Sequence, residues 1–203
     1  MLQYFLERPY LILIMLAMVV LTLFVCVKAG QASSKRSKVN EKLIKKLKEE
    51  NEIRNEFAIL TSSLAQSAQL ERLFKGVALN LQKRVSDAQD MVAEFEKLTQ
   101  EQREIYALSF ITEDGGEKLS GFFRTNGQPL TGEALNAVKR LFGGRAAEIF
   151  ELEYKAFDSD NEDVSVIPEE IEAIDKEFAE LINENIIGNK AGSFIKENIE
   201  KFI

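Results

Sequence analysis

The 203-residue chain contains no histidine and no tryptophan, a single cysteine and only three prolines. Without histidine, the commonest general base and metal ligand is missing, which excludes His-dependent catalytic triads and His-based zinc sites. Cys26 has no second thiol to pair with, so the chain forms no intrachain disulfide and does not require an oxidising compartment. Between Pro9 and Pro129 there is no proline, and between Gly30 and Gly115 the only glycine is Gly76, so little interrupts a helix over that long stretch. Alternation with a period of two is also lacking, because Val164-Ser165-Val166 is too short to count as a strand. The chain therefore reads as all-α.

Charge is unevenly distributed. Residues 1–100 carry 15 Lys and Arg against 11 Asp and Glu, whereas residues 101–203 carry 11 against 22. The acidic half repels nucleic acid at long range, so no direct nucleic-acid binding is expected.

From Pro9 to Val27 runs PYLILIMLAMVVLTLFVCV, which has no charged residue and is bounded by Arg8 and Lys28. At about 1.5 Å per residue such a run is close to the ~30 Å hydrocarbon core of a bilayer. Pro9 suits a first helical position and Tyr10 an interfacial one. Gly30-Gln31-Ala32 could serve as a cleavage site, and Leu23 to Cys26 resembles the end of a lipoprotein signal. However, the stretch before Arg8 lacks a basic residue and carries Glu7, and Val25 is a poor fit before a lipidated cysteine. An uncleaved single-pass anchor over residues 9–29, after a short flank of residues 1–8, is the expectation. Lys35, Arg36, Lys38, Lys42, Lys45, Lys46 and Lys48 follow it with Glu41 as the one acid among them. This excess places the N-terminus outside and the C-terminal side in the cytoplasm, and it sets these seven residues against anionic headgroups.

Residues 30–98 form a basic juxtamembrane segment and an amphipathic helical stalk. Leu43, Leu47, Ile53, Phe57, Leu60, Leu64, Leu70, Phe74, Val77, Leu81, Val85, Ala88, Val92 and Phe95 recur mostly at steps of three and four. A stripe this narrow needs a partner helix, supplied either by a second copy in a coiled-coil homodimer or by a fold-back hairpin, and the periodicity fits both.

Residues 99–203 read as an acidic, compact helical domain. Helices are expected over Arg103–Thr112, over Glu117–Arg124, from an N-cap at Thr131 to Gly143-Gly144, and over Arg145–Phe157. Two more are expected, one from Pro168 to Gly188 and a last one through Phe194, Ile195, Ile199 and Phe202. Asp158-Ser159-Asp160-Asn161-Glu162-Asp163 with Glu169 has carboxylates where a calcium loop has its first, third and twelfth ligands. Asp163 nevertheless stands where that loop needs glycine, so an acidic linker is the better reading. Gly143-Gly144-Arg145 lacks the Lys-Ser/Thr ending of a phosphate loop, and a helix terminus accounts for it. No catalytic, cofactor or metal residues are assigned.

Leu98-Thr99-Gln100-Glu101-Gln102-Arg103-Glu104-Ile105-Tyr106-Ala107-Leu108, then Gly115-Gly116, then Phe122-Phe123-Arg124-Thr125-Asn126-Gly127, resemble the DNA-mimic-protein-like C-terminal domain. That is a bacterial, all-helical family. Helices around Glu133–Val138 and Ala146–Phe150 follow in the family's order, and the resemblance covers residues 98–203. Family members tend to carry Asn-Asn before the double glycine and an aromatic after it, where this chain has Glu113-Asp114 and Glu117. The resemblance implies an all-helical fold and a DNA-mimic-like character for the acidic surface.

Together these features predict a membrane-tethered, non-enzymatic protein whose acidic domain binds a protein partner in the cytoplasm. The expected partner-binding residues are Asp158, Asp160, Glu162, Asp163, Glu169, Glu170, Glu172, Glu177, Glu180 and Glu184. The competing classes are a carboxylate- or metal-dependent enzyme and a purely structural helical membrane scaffold.

Overall fold

The structure is a computed structural model that describes residue 18 and residues 40–116, 118–157 and 169–203. The chain divides into a unit of residues Met1–Glu49 and a second of residues Glu50–Ile203. In the first unit, Met18 and residues 40–49 are helical, and every one of them is exposed. The expected anchor over residues 9–29 lies outside the described residues apart from Met18. Among the described residues no helix is long and apolar enough to cross a membrane.

The second unit is all-helical among the described residues. Helical residues 50–56 (α1) are followed by α2 (Ser62–Ser67), α3 (Leu70–Ser86), α4 (Met91–Glu96), α5 (Gln100–Asp114) and α6 (Leu119–Thr125). Then come α7 (Leu130–Leu141), α8 (Gly144–Ala156), α9 (Glu169–Leu181), α10 (Glu184–Glu197) and a closing 3-10 turn, Ile199–Lys201. Short polar residues set several of the starts. Thr61 accepts from the Leu64 N–H at 3.2 Å, Asp90 from Ala93 at 3.0 Å and Asn183 from Ile186 at 3.0 Å. Thr99 and Gln102 exchange bonds in a capping box at the head of α5.

Over α3 the apolar stripe expected of a stalk is covered from within the chain. Leu73, Phe74, Val77, Leu81 and Val85 are buried in a core shared with Ile105, Leu108, Ile187, Ala191 and Ile195. The compact unit begins at Glu50. The helical phase also breaks at residues 87–90, which turn between α3 and α4, so Val92 points outward while Phe95 is buried.

The tightest seam joins α3 to α10. A Cβ on Gly192 would collide with the Leu70 backbone, and one on Gly188 would come within 2.9 Å of Glu71 Cγ. Two glycines four residues apart therefore let the helix backbones meet. Lys196 Nζ donates to the carbonyls of Gln66 at 3.0 Å and Ala68 at 2.8 Å, and Asn189 donates to Glu71 at 2.9 Å. Against this seam, α5 packs on α3 and α7, α7 on α8, and α8 on α9, with α6 held among α5, α8 and α9.

Several boundaries differ from the sequence reading; α5, for one, runs Gln100–Asp114 where Arg103–Thr112 was expected. Thr131 is not the N-cap of α7: that position falls to Pro129, whose backbone is already in the helical region, and Thr131 is buried inside the first turn. Gly188 does not end a helix, because α9 stops at Leu181 and Asn183 caps a new helix that runs through Gly188 to Glu197. The Glu117–Arg124 segment is shorter at its start, with α6 beginning at Leu119. The junction at Gly143-Gly144 is a break as expected, with positive φ at both residues (60° and 48°) turning α7 into α8.

Candidate interaction surface and buried acids

The structure gives the expected partner-binding acids different fates. Asp158, Asp160, Glu162 and Asp163 lie outside the described residues. Glu169, Glu170, Glu172 and Glu180 are exposed on α9, and exposed Glu184 opens α10. At about 100° per residue, Glu169, Glu172 and Glu180 share one outward stripe of α9, with Lys176 on the same stripe. None of these five carboxylates makes an ion pair with a described residue. Glu177 differs: Arg145 Nε and Nη2 donate to its two carboxylate oxygens at 2.7 and 3.0 Å, a fork that ties α8 to α9. Hydrogen bonding and charge from Arg145 hold the Glu177 carboxyl below the ordinary glutamate range. Of the expected headgroup-binding residues, Lys42, Lys45, Lys46 and Lys48 stand exposed on the 40–49 helix, while Lys35, Arg36 and Lys38 lie outside the described residues.

The acids that the sequence reading passed over are the buried ones. Glu153 on α8 is 0% exposed and Asp175 on α9 is 2% exposed. Asp175 accepts the Ser120 backbone N–H at 2.7 Å and the Ser120 hydroxyl at 2.6 Å. Ser120 stands in the first turn of α6, whose N-cap Lys118 offers no side-chain cap, so a carboxylate from another helix satisfies an otherwise orphaned N–H. Neither Glu153 oxygen meets a donor. Burial, and then the adjacent Asp175 charge, push the Glu153 carboxyl up to about 9, so it carries a proton at neutral pH. Around this corner the rings of Phe122, Phe123, Phe150 and Phe178 pack with centroids 5.0 to 6.1 Å apart. The signal was present in the sequence: Glu153 continues the 146, 149, 150 stripe of α8 and Asp175 the 171, 178, 182 stripe of α9, so each is a carboxylate at a core position.

Glu104 on α5 is also fully buried. Its Oε1 accepts from Gln100 at 3.2 Å and lies 3.1 Å from Arg140 Nη2, while Oε2 has no donor. Burial raises its pKa against the opposing effects of Gln100 and Arg140. The Arg140 guanidinium also covers the Phe194 ring at 5.7 Å, joining α5, α7 and α10.

Grooves lined by described residues open on the second unit. One of about 560 Å³ is lined by Leu70, Arg140, Leu141, Ile186, Lys190 and Phe194 among others, and a mainly apolar one of about 270 Å³ by residues of α5, α9 and α10. Of the buried acids, neither Glu104, Glu153 nor Asp175 lines these two grooves. Among the described residues no three carboxylates or thiols converge to hold a metal ion. The calcium-like loop, apart from Glu169, lies outside them. Neither a family model, nor a curated protein, nor a solved structure matches the chain.

Proposed function

We propose that the chain is a non-enzymatic, membrane-tethered interaction protein whose helical unit offers an acidic surface to a basic face of a protein partner. The observation that carries this reading is the outer stripe of α9. Glu169, Glu172 and Glu180, with Glu170 beside them and Glu184 at the head of α10, are exposed and unpaired among the described residues, whereas Glu94, Glu133, Glu151 and Glu177 each bond a cation of the same unit. Exposed carboxylates that outnumber Lys176 on their stripe present a field that attracts a complementary surface and speeds encounter with it. Tethering by residues 9–29 would hold this surface near the cytoplasmic face of the membrane. The resemblance of residues 98–203 to the DNA-mimic-protein-like domain is in keeping with such a surface.

The test is capture of partners from a lysate by the full chain in detergent, alongside a variant with Glu169, Glu170, Glu172, Glu180 and Glu184 replaced by Gln. A partner retained by the native chain, lost with the variant and released by added salt or duplex DNA supports an acidic, DNA-mimic-like interface. Retention indifferent to all three changes would overturn it.

A further inference from the structure

We infer that the 40–49 helix lies in the interface of an anionic bilayer with Leu43, Ile44 and Leu47 turned into the acyl boundary. Leu43 and Ile44 are each 53% exposed and Leu47 is 55% exposed, although these are aliphatic side chains of the size found in the core. The core of the second unit, by contrast, begins with Ile53 and Phe57. At about 100° per residue, Leu47 lies roughly 40° and Ile44 roughly 100° around the helix from Leu43, so the three form one arc, with Asn40 at the end of the helix falling between Leu47 and Ile44. Lys46 stands about 60° before that arc and Lys48 about 40° beyond it, while Glu41, Lys42, Lys45 and Glu49 occupy the opposite face. Apolar residues flanked on both sides by lysine match an interfacial helix, with aliphatic groups just below the headgroups and ammonium groups among the phosphates.

The choice of occupant rests on charge and on position in the chain. The seven cations between Lys35 and Lys48, against Glu41 alone, complement anionic headgroups. They would repel their own counterparts in a second copy packed alongside. The uncharged run ends at Val27, and the residues between it and Leu43 are few enough to keep the helix within reach of the bilayer that the run would occupy. This inference rests on the reading of that run as an anchor and adds a second, reversible attachment with named residues.

The experiment uses the full chain carrying Cys26→Ser and a single new thiol, Ile44→Cys on the apolar arc or Lys45→Cys on the opposite face, labelled with an environment-sensitive fluorophore. Each is mixed into vesicles of phosphatidylcholine, alone or with phosphatidylglycerol. The label at 44 should brighten several-fold and shift to the blue in the anionic vesicles, be shielded from aqueous iodide and be quenched by brominated acyl chains. The label at 45 should stay wet. Equal exposure of the two positions in anionic vesicles with which the chain co-floats would overturn the inference, as would burial at 44 without lipid that grows with protein concentration. Flotation after a high-salt, alkaline wash reports the anchor separately: a chain that washes off while label 44 had been buried removes the anchor reading and leaves the interfacial helix standing.

Discussion

Along the α3–α10 seam the backbones touch because Gly188 and Gly192 remove side chains there, whereas the α6–α8–α9 corner is filled with phenylalanine rings and closes around two carboxyl groups. The seam joins residues more than a hundred positions apart by close backbone packing, with the Lys196 and Asn189–Glu71 hydrogen bonds beside it and no fully buried charge in it. In the corner, shape is supplied by Phe122, Phe123, Phe150 and Phe178, but the fit also depends on which acid holds a proton. Asp175 is satisfied by Ser120, and Glu153 is tolerated only because burial beside Asp175 keeps it neutral. The seam should therefore respond to added volume and be indifferent to pH, while the corner should respond to pH and to loss of hydrogen-bond partners.

The largest loss of stability is expected at the seam. Gly192→Ala would ordinarily stabilise a helix by about 1 kcal/mol. Here it should destabilise by about 3 kcal/mol, because the added Cβ meets the Leu70 backbone, which cannot yield as a side chain tip can. Chemical denaturation of the full chain in detergent reads this as a lower midpoint, and the drop should be the same at pH 5 and pH 8. A stabilised Gly192→Ala would mean that the helices do not approach so closely.

Next comes Asp175→Ala, which strands the buried Ser120 N–H and hydroxyl at the start of α6. The expected cost is about 2 kcal/mol. Hydrogen exchange should show it as faster exchange in α6 before the rest of the unit.

Glu153→Gln should act in the opposite sense. The Glu153 carboxyl is raised in the folded state to about 9 from an ordinary value of 4.5, so the folded chain holds a proton that the unfolded chain has released. Stability from this group is full below pH 4.5, declines as pH rises towards 9, and has lost roughly 3 kcal/mol by pH 7. A neutral amide at this position removes that decline. The variant should melt higher than the native chain at pH 8 and nearly equal to it at pH 4.5, and identical melting at both values would show that Glu153 is not held neutral.

The smallest effect on stability is expected from replacing the outer acids Glu169, Glu170, Glu172, Glu180 and Glu184 by Gln. These groups are exposed and unpaired among the described residues, so the midpoint should move by less than about 0.5 kcal/mol per site while partner capture is lost. A large loss of stability would place these carboxylates in the fold rather than on a docking face.

Much of this arrangement was legible one helix at a time. The double glycine at 143 and 144 and the apolar spacing of α3, α8 and α9 each specify a local feature through φ preference and period, whereas the Thr99–Gln102 capping box lies ahead of the Arg103 start expected for α5. Boundaries that failed did so where two local signals competed. Thr131 reads as a cap until Pro129 supplies a helical backbone ahead of it, and Gly188 reads as a stop because its close approach to Glu71 is invisible along the chain. Glu153 and Asp175 sit at apolar positions of their stripes, and a carboxylate there reads as an imperfection until its neighbours are known.

Local order therefore came from the sequence alone: the helical class, the uncharged run, the basic stretch and the acidic half all follow from periodicity and charge within short windows. Only the tertiary structure decided that the stripe of α3 is covered by α10, that α6 is capped by a carboxylate from α9, and that Glu153 loses its charge. Each of these depends on burial and on contacts between residues far apart in the chain. Desolvation and close packing arise only when distant segments meet, and no local window carries that information.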